Sequence, residues 1–324
     1  MPVLHAIVLG IVQGLSEFLP ISSSGHLELV PWLFGWDDFA GQPELETTFD
    51  VALHLGTFAG AVAYFRTDLV RLGRGGLAAL RPRRTSAVSA GPAASPPPGG
   101  ATTVTGVRPA PGAGAGAVAG IADADAGRGL GPGPDDGRLA WLLVVSAVPA
   151  AIAGALFEDT FAGIGETKWL IGLLLIVFGL VLLWADRLVG ERSGDDFRLR
   201  DALGMGLVQA LALQPGVSRS GVTITAARRL GFRRDAAARL SFLMSLPIIA
   251  GAGLYKGLGL LGGGGIPAGF GPAFASGMAT SAVTGWLAVW ATLRLVRTRS
   301  FTPFVIYRVV VGAAVIALVV SGLR

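Results

Sequence analysis

Long apolar runs, and the places where polar residues break them, set the reading of this 324-residue chain. From Val3 to Phe34 the sequence is largely apolar, yet its middle collects Gln13, Ser16, Glu17, Ser22, Ser23, Ser24 and His26. Apolar runs follow at 49–65, 139–157, 169–184, 240–254, 273–293 and 304–320. Near the length a helix needs to cross a bilayer, they predict six transmembrane helices. The stretch 202–221 is different: Gln209, Gln214, Pro215 and Gly216 leave it too short and too broken for a lipid-facing span. Backbone of that kind is tolerated at membrane depth only where protein buries it or a wet cavity receives it.

Arginines orient the spans. Arg66, Arg71, Arg74, Arg81, Arg83 and Arg84 fall within 19 residues, and further clusters lie at Arg228, Arg229, Arg233, Arg234 and Arg239 and at Arg294, Arg297 and Arg299. The positive-inside bias places these in the cytoplasm, which puts the acidic loop of Asp37, Asp38, Glu44 and Glu46 outside together with both chain ends. On this count residues 1–34 and about 202–227 each enter and leave on one side, the first from outside and the second from inside. The expected fold is therefore an all-α integral membrane protein with six transmembrane helices plus two re-entrant helical hairpins.

Composition agrees: 52% of residues are hydrophobic and only 15% charged, too apolar for a soluble domain. The net charge of +5 comes from the arginine clusters, and no basic stripe carries interleaved aromatics, so membrane lipids are expected partners and nucleic acid is not. Without cysteine, disulfides and thiolate chemistry are excluded, and His5, His26 and His54 are too dispersed to propose a zinc triad. Residues 87–137 are mostly Ala, Gly, Pro, Ser, Thr and Val, a composition that cannot pack a core, and read as a disordered cytoplasmic linker between membrane parts at 1–86 and 138–324. The opening stretch lacks the basic leader and small-residue cleavage site of a signal peptide.

The two broken segments are copies of each other. Displaced by 196 residues, Gly10–Leu15 aligns with Gly206–Leu211 and Ser22–Gly25 with Ser218–Gly221, with seven identities in the 17 positions from Gly10 to His26. Two copies entering from opposite faces make an inverted-topology repeat, an architecture that builds a midplane site from broken helices. Glu17, Ser22, Ser23, Ser24, Gly25 and His26 from the first copy should meet Ser218, Arg219, Ser220 and Thr223 from the second. Ionisable groups at bilayer depth are costly and mark function. An arginine fork, hydroxyls and exposed helix N-termini together suit a phosphate.

The segments QGLSEFLPISSSGH and QPGVSRSGVTIT closely resemble the signature motifs of the undecaprenyl-diphosphate phosphatases, the bacitracin-resistance phosphatases. Weaker matches run over Phe49–Gly56, Leu240–Pro247 and Phe301–Arg308. The resemblance implies hydrolysis of a polyprenyl diphosphate lipid, undecaprenyl diphosphate, to the monophosphate and phosphate in the bacterial plasma membrane, recycling the carrier for peptidoglycan assembly. It implies Glu17, Ser23, His26 and Arg219 as catalytic residues, with Ser22, Ser24, Gly25, Ser218, Ser220 and Thr223 around the phosphate. Many members carry a second carboxylate where Gln13 stands, so a magnesium or calcium ion is expected on Glu17, with Gln13 nearby, phosphate oxygens and water. Ser23 is the expected nucleophile, with His26 or Glu17 as base, and direct attack by water is the other route. A type 2 phosphatidic acid phosphatase would need a second histidine after the arginine, and Ser218–Leu230 has none. A transporter of an anionic polyprenyl lipid is the alternative from another class. An oligomer is compatible with all of this.

Overall fold

The computed structural model describes residues 1–39, 41–80, 135–165, 167–262 and 269–324. Regular structure among them is helical, apart from one isolated bridge between Arg192 and Phe232. Eleven α-helices run in order: α1 Val3–Phe18, α2 Ser23–Phe34, α3 Pro43–Tyr64, α4 Arg66–Ala79, α5 Asp136–Gly165, α6 Lys168–Asp186, α7 Leu199–Ala210, α8 Arg219–Arg229, α9 Arg234–Gly262, α10 Gly271–Leu295 and α11 Thr302–Val320. Four stretches, Asp136–Phe157, Lys168–Asp186, Arg234–Tyr255 and Thr302–Val320, are long and apolar enough to cross a membrane. The protein is an all-α integral membrane protein that crosses more than once.

Several boundaries differ from expectation. The first arginine cluster does not simply leave the membrane as a loop, because α4 continues as a separate amphipathic helix. Arg71 lies 3.4 Å from Asp136 of α5, and Arg239 of α9 lies 2.6 Å from Asp68 of α4. The end of the expected linker already belongs to α5, which opens at Asp136; the rest of 87–137 that precedes Asp135, and the glycine turn after Gly262, lie outside the described residues. Where a loop was expected after Phe157, α5 runs on to Gly165 across a non-helical kink at Phe157.

Small residues let the helices that support the site approach closely. α10 lies between α1 and α3, and both present a glycine pair spaced by four. A Cβ on Gly10 would come within 2.5 Å of Gly277 O and one on Gly14 within 2.7 Å of Ser281 O. The pair on α3 is as tight: Gly56 and Gly60 would clash with Met278 O at 2.4 Å and Ala282 O at 2.2 Å. In lipid, where apolar side chains gain nothing by leaving a membrane of equal apolarity, such backbone contact is what drives helices together. Ser281 adds a hydrogen bond to Leu53 O at 2.7 Å. On the other side of the molecule α7 packs along α5, with Gly206 against Ser146 O in the manner of Gly10 against α10. A core of Phe18, Phe65, Phe242, Ile224 and Leu182 fills the centre, directly behind the end of α1.

Candidate active site

Two helix-turn-helix hairpins meet at their turns. α1 stops at Phe18 because Pro20 drives the preceding residue out of the helical region, and Leu19 takes φ −65° and ψ 136°. Ser22, at φ 78°, then caps α2 by accepting the Gly25 N–H at 3.4 Å. In the second hairpin Ser218, at φ 77°, caps α8 by accepting the Gly221 N–H at 3.1 Å. Among the described residues these two serines alone, outside glycine, have positive φ. That conformation costs on the order of 1–3 kcal/mol and persists only where the surroundings impose it.

The surroundings are the opposite turn and one arginine. Ser22 Oγ also accepts the Gly216 N–H at 3.1 Å, and Ser220 Oγ donates to Leu19 O at 3.1 Å, so each turn bonds the other. Gly25 permits this approach, since a Cβ there would lie 3.1 Å from Gly216 N. Arg308 of α11, fully buried, donates to Pro20 O at 3.2 Å in the first turn and to Gly216 O and Val217 O at 2.8 and 3.0 Å in the second. It also reaches Leu175 O of α6 at 2.9 Å. One cation thus gathers carbonyls from both hairpins, and each charge-assisted bond contributes about 1.5–3 kcal/mol.

Glu17, on the last turn of α1 and almost fully buried, is the hub. Its Oε1 is ion-paired with the Arg219 guanidinium from the first residue of α8. The other oxygen, Oε2, accepts from Ser23 Oγ at 2.6 Å and from Gln13 Nε2 at 3.0 Å, and faces His54 Nε2 at 3.5 Å. Carboxylate, hydroxyl and arginine from sequence positions 17, 23 and 219 therefore share one point. Among the described residues the remaining guanidinium nitrogens of Arg219 make no protein hydrogen bond, and its side chain is partly open. Around it the first-turn N–H groups of α2 and α8 lack intrahelical partners, and both helix dipoles put positive potential there. The arrangement can hold an anion beside a hydroxyl that already touches a carboxylate.

Some expected members lie elsewhere. His26 does not touch Ser23: its Nδ1–H donates to Ser22 O at 2.7 Å, and its Nε2 accepts the Tyr307 hydroxyl at 2.8 Å, with the rings stacked. The carbonyl can only accept, which fixes this tautomer. Of the two bases expected for Ser23, the contact belongs to Glu17. Thr223 is fully buried and bonded to Arg219 O at 2.8 Å and Ser241 Oγ at 2.6 Å, a position that supports α8. Ser218 and Ser220 are buried in the turn, their hydroxyls 3.3 Å apart, whereas Ser24 is half-buried on the first turn of α2.

His54 and Arg308 escaped the sequence reading, as did Tyr307. All three sit in matched but weaker motifs, and the signal was available: an ionisable group inside an apolar run, at 49–65 and at 304–320, carries the same weight as Glu17.

For a metal, no three His, Asp or Glu side chains converge among the described residues. What the site offers a cation is Glu17 and Gln13 Oε1, an amide oxygen buried without a hydrogen-bond partner. That donor pair fits an ion that brings phosphate and water oxygens with it, as magnesium does, better than calcium with its six to eight oxygen ligands.

Residues 6–314 match the family model described as bacitracin resistance protein BacA. The chain belongs to the BacA family. Curated relatives include an undecaprenyl-diphosphatase of Pelobacter propionicus, 44% identical with 100% of this chain and 99% of the relative covered. One of Geobacter sulfurreducens is 45% identical over 98% of both chains. A third, from Nocardioides sp., is 37% identical over 98% of this chain and 97% of its own. The BacA match takes in both hairpin turns and α11 as far as Ala314, so the hub at Glu17 and the clamp at Arg308 both lie within the family's extent.

Proposed function

We propose that this BacA-family chain hydrolyses undecaprenyl diphosphate to undecaprenyl phosphate and inorganic phosphate in the bacterial plasma membrane, regenerating the lipid carrier of cell-wall synthesis. The observation that carries the reading is the Ser23 hydroxyl bonded to Glu17 while the same carboxylate holds Arg219. Six spans, with α3 and α10 joining the four helices long and apolar enough to cross, and two re-entrant hairpins in an inverted repeat would set this point near the bilayer midplane. Residues 1–86 and 138–324 form the membrane domain, and the intervening linker takes no part in chemistry. The polyprenyl tail lies between helices in lipid.

Arg219 and the first-turn N–H groups of α2 and α8 bind the diphosphate, with Ser24 at the rim. Ser23 Oγ attacks the terminal phosphorus, its proton passes to Glu17 Oε2, and the bond to the lipid phosphate oxygen breaks. Water then displaces the phosphate from Ser23. Phosphoryl transfer asks mainly for positioning and charge neutralisation, which the arginine and the two helix ends supply. A magnesium ion, if bound, would be held by Glu17 and Gln13 Oε1 and would neutralise phosphate oxygens. His26, Tyr307 and Arg308 keep the turns in place.

Purified full-length protein in detergent, given undecaprenyl diphosphate, is expected to release phosphate, and a brief acid quench is expected to trap phosphoserine at Ser23. Phosphate release without phosphoserine assigns the attack to water activated by Glu17. No release at all overturns hydrolysis and leaves a site that binds the lipid without cleaving it.

A further inference from the structure

At the arginine-bearing end of the molecule the helices leave a cavity of about 390 Å³, within the ~300–1,000 Å³ range of small-ligand sites. It lies where α6 and α8 end, α9 begins and α10 has just ended, and its walls carry Arg187, Arg228, Arg233, Arg234 and Arg297 against two aspartates.

The aspartates are already engaged. Asp186 holds Arg234 Nε at 2.5 Å with one oxygen and accepts the Phe301 N–H at 3.1 Å with the other, while Asp235 faces Arg233 at 3.3 Å. Among the described residues no carboxylate stands within ion-pair distance of Arg187 or Arg228. Arg228 is 4% exposed, and its terminal nitrogens donate to the carbonyls of Phe232, Asp186 and Leu188, but its Nε is buried with no hydrogen-bond partner. Capping chain ends therefore leaves one donor of this guanidinium unused, and a buried cationic donor is costly until an acceptor reaches it. The first-turn N–H groups of α9, at Arg234 and Asp235, add positive potential to the same wall. Such a cavity calls for acidic oxygens, and arginine forks match those of a phosphate.

The surroundings select the source of that phosphate. α6 is one of the helices apolar enough to cross a membrane. On it Leu173, Val177, Leu180 and Trp184 stand exposed at spacings of four, three and four residues, which sets them in one stripe. Arg187 follows three residues later on the same stripe, and Val189, 88% exposed, carries the apolar surface to the cavity wall. A chain lying along the stripe would bring its head group to the arginines at the level where the crossing helix ends. Free phosphate has no use for the stripe.

We propose that this cavity binds the phosphate head group of an anionic phospholipid from the arginine-bearing leaflet, with one acyl chain along the exposed face of α6. Arg187 and Arg228 hold the phosphate oxygens. Basic pockets between membrane helices on the cytoplasmic side suit such head groups. α8 starts at Arg219 and ends one residue after Arg228, so the bound lipid steadies the far end of the helix that presents Arg219 to Glu17. The site is read by binding and does not depend on the hydrolysis proposed above.

The test uses full-length protein in micelles of a neutral detergent, with phosphatidylglycerol or phosphatidylcholine brominated on the acyl chains as probes and tryptophan fluorescence as the readout. Quenching is expected to saturate at about tenfold less phosphatidylglycerol than phosphatidylcholine, and to lose that preference at high salt. The saturable part should disappear in Trp184→Phe. Arg187→Glu should lower the preference about fivefold or more, whereas Arg200→Glu, the same change of charge on a side chain 75% exposed outside the cavity, should leave it within about twofold. Unchanged quenching of Arg187→Glu by phosphatidylcholine checks its fold, and Arg187→Gln, expected to fall in the same direction, replaces it if that check fails. Equal binding of the two lipids by the wild type overturns the site. So does an Arg200→Glu loss as large as that of Arg187→Glu, which would assign the preference to the charge of the whole face. Saturable quenching that survives Trp184→Phe overturns the path along α6, and competition by millimolar inorganic phosphate that abolishes the preference gives the cavity to a free anion and overturns the lipid.

Discussion

The two hairpin turns share a backbone and divide the chemistry. Ser22 and Ser218 have nearly the same φ, cap their helices through the N–H three residues on, and precede glycines that the opposite elements approach closely. Of the aligned positions that differ, two set the charge and hydroxyl pattern apart: Glu17 corresponds to Leu213, and Ser23 to Arg219. The first turn thereby carries the carboxylate and the hydroxyl while the second carries the cation. Opposite entry of two similar turns brings matching helix N-termini together, which builds an anion site without further residues. Departing from symmetry at those two positions sets a carboxylate-bonded hydroxyl opposite an arginine.

If the division of labour is right, the largest effect belongs to the cation. Arg219→Ala should lower kcat/KM by on the order of 10³ or more, and Arg219→Lys should stay poor because the planar fork is lost. Each variant should be checked by thermal melting, since Glu17 loses its partner. An Arg219→Lys enzyme within a few-fold of wild type would reduce the second turn to a scaffold. Next comes what joins the turns. Arg308→Met should lower the melting temperature and stability by about 3–5 kcal/mol, because carbonyls from both hairpins lose their donor, and activity should fall with the folded fraction. A variant as stable as wild type but inactive would make Arg308 a substrate ligand instead. The smallest effect separates a phosphate contact at Thr223 from a supporting role. Thr223→Val should cost about 1 kcal/mol of stability and leave KM nearly unchanged, since the hydroxyl bonds Ser241 and backbone. A large rise in KM would return Thr223 to the phosphate site.

Glu17, Ser23 and Arg219 were legible because a carboxylate, a hydroxyl run and an arginine inside apolar sequence stand out against the cost of placing them there. Which of the two bases serves Ser23 was not. His26 is three residues from Ser23 and Glu17 is six, yet the ring nitrogens of His26 are taken by Ser22 O and the Tyr307 hydroxyl, whereas the turn folds α1 back so that Glu17 faces Ser23. Thr223 likewise lay on the right helix but on its packed side.

From the sequence alone followed the membrane class, the two repeated turns, the polar side chains that stand in them and the anionic character of the expected substrate. Each of these depends on composition, period or a local motif, which neighbouring residues carry in full. Only the tertiary structure decided the partners: that Glu17 receives Ser23, Gln13, Arg219 and His54, and that Arg308 binds both turns from 288 residues beyond Pro20. Those contacts come from where separate helices pack, and the packing is set by glycines at close crossings and by buried polar groups seeking partners, neither of which the order of residues spells out.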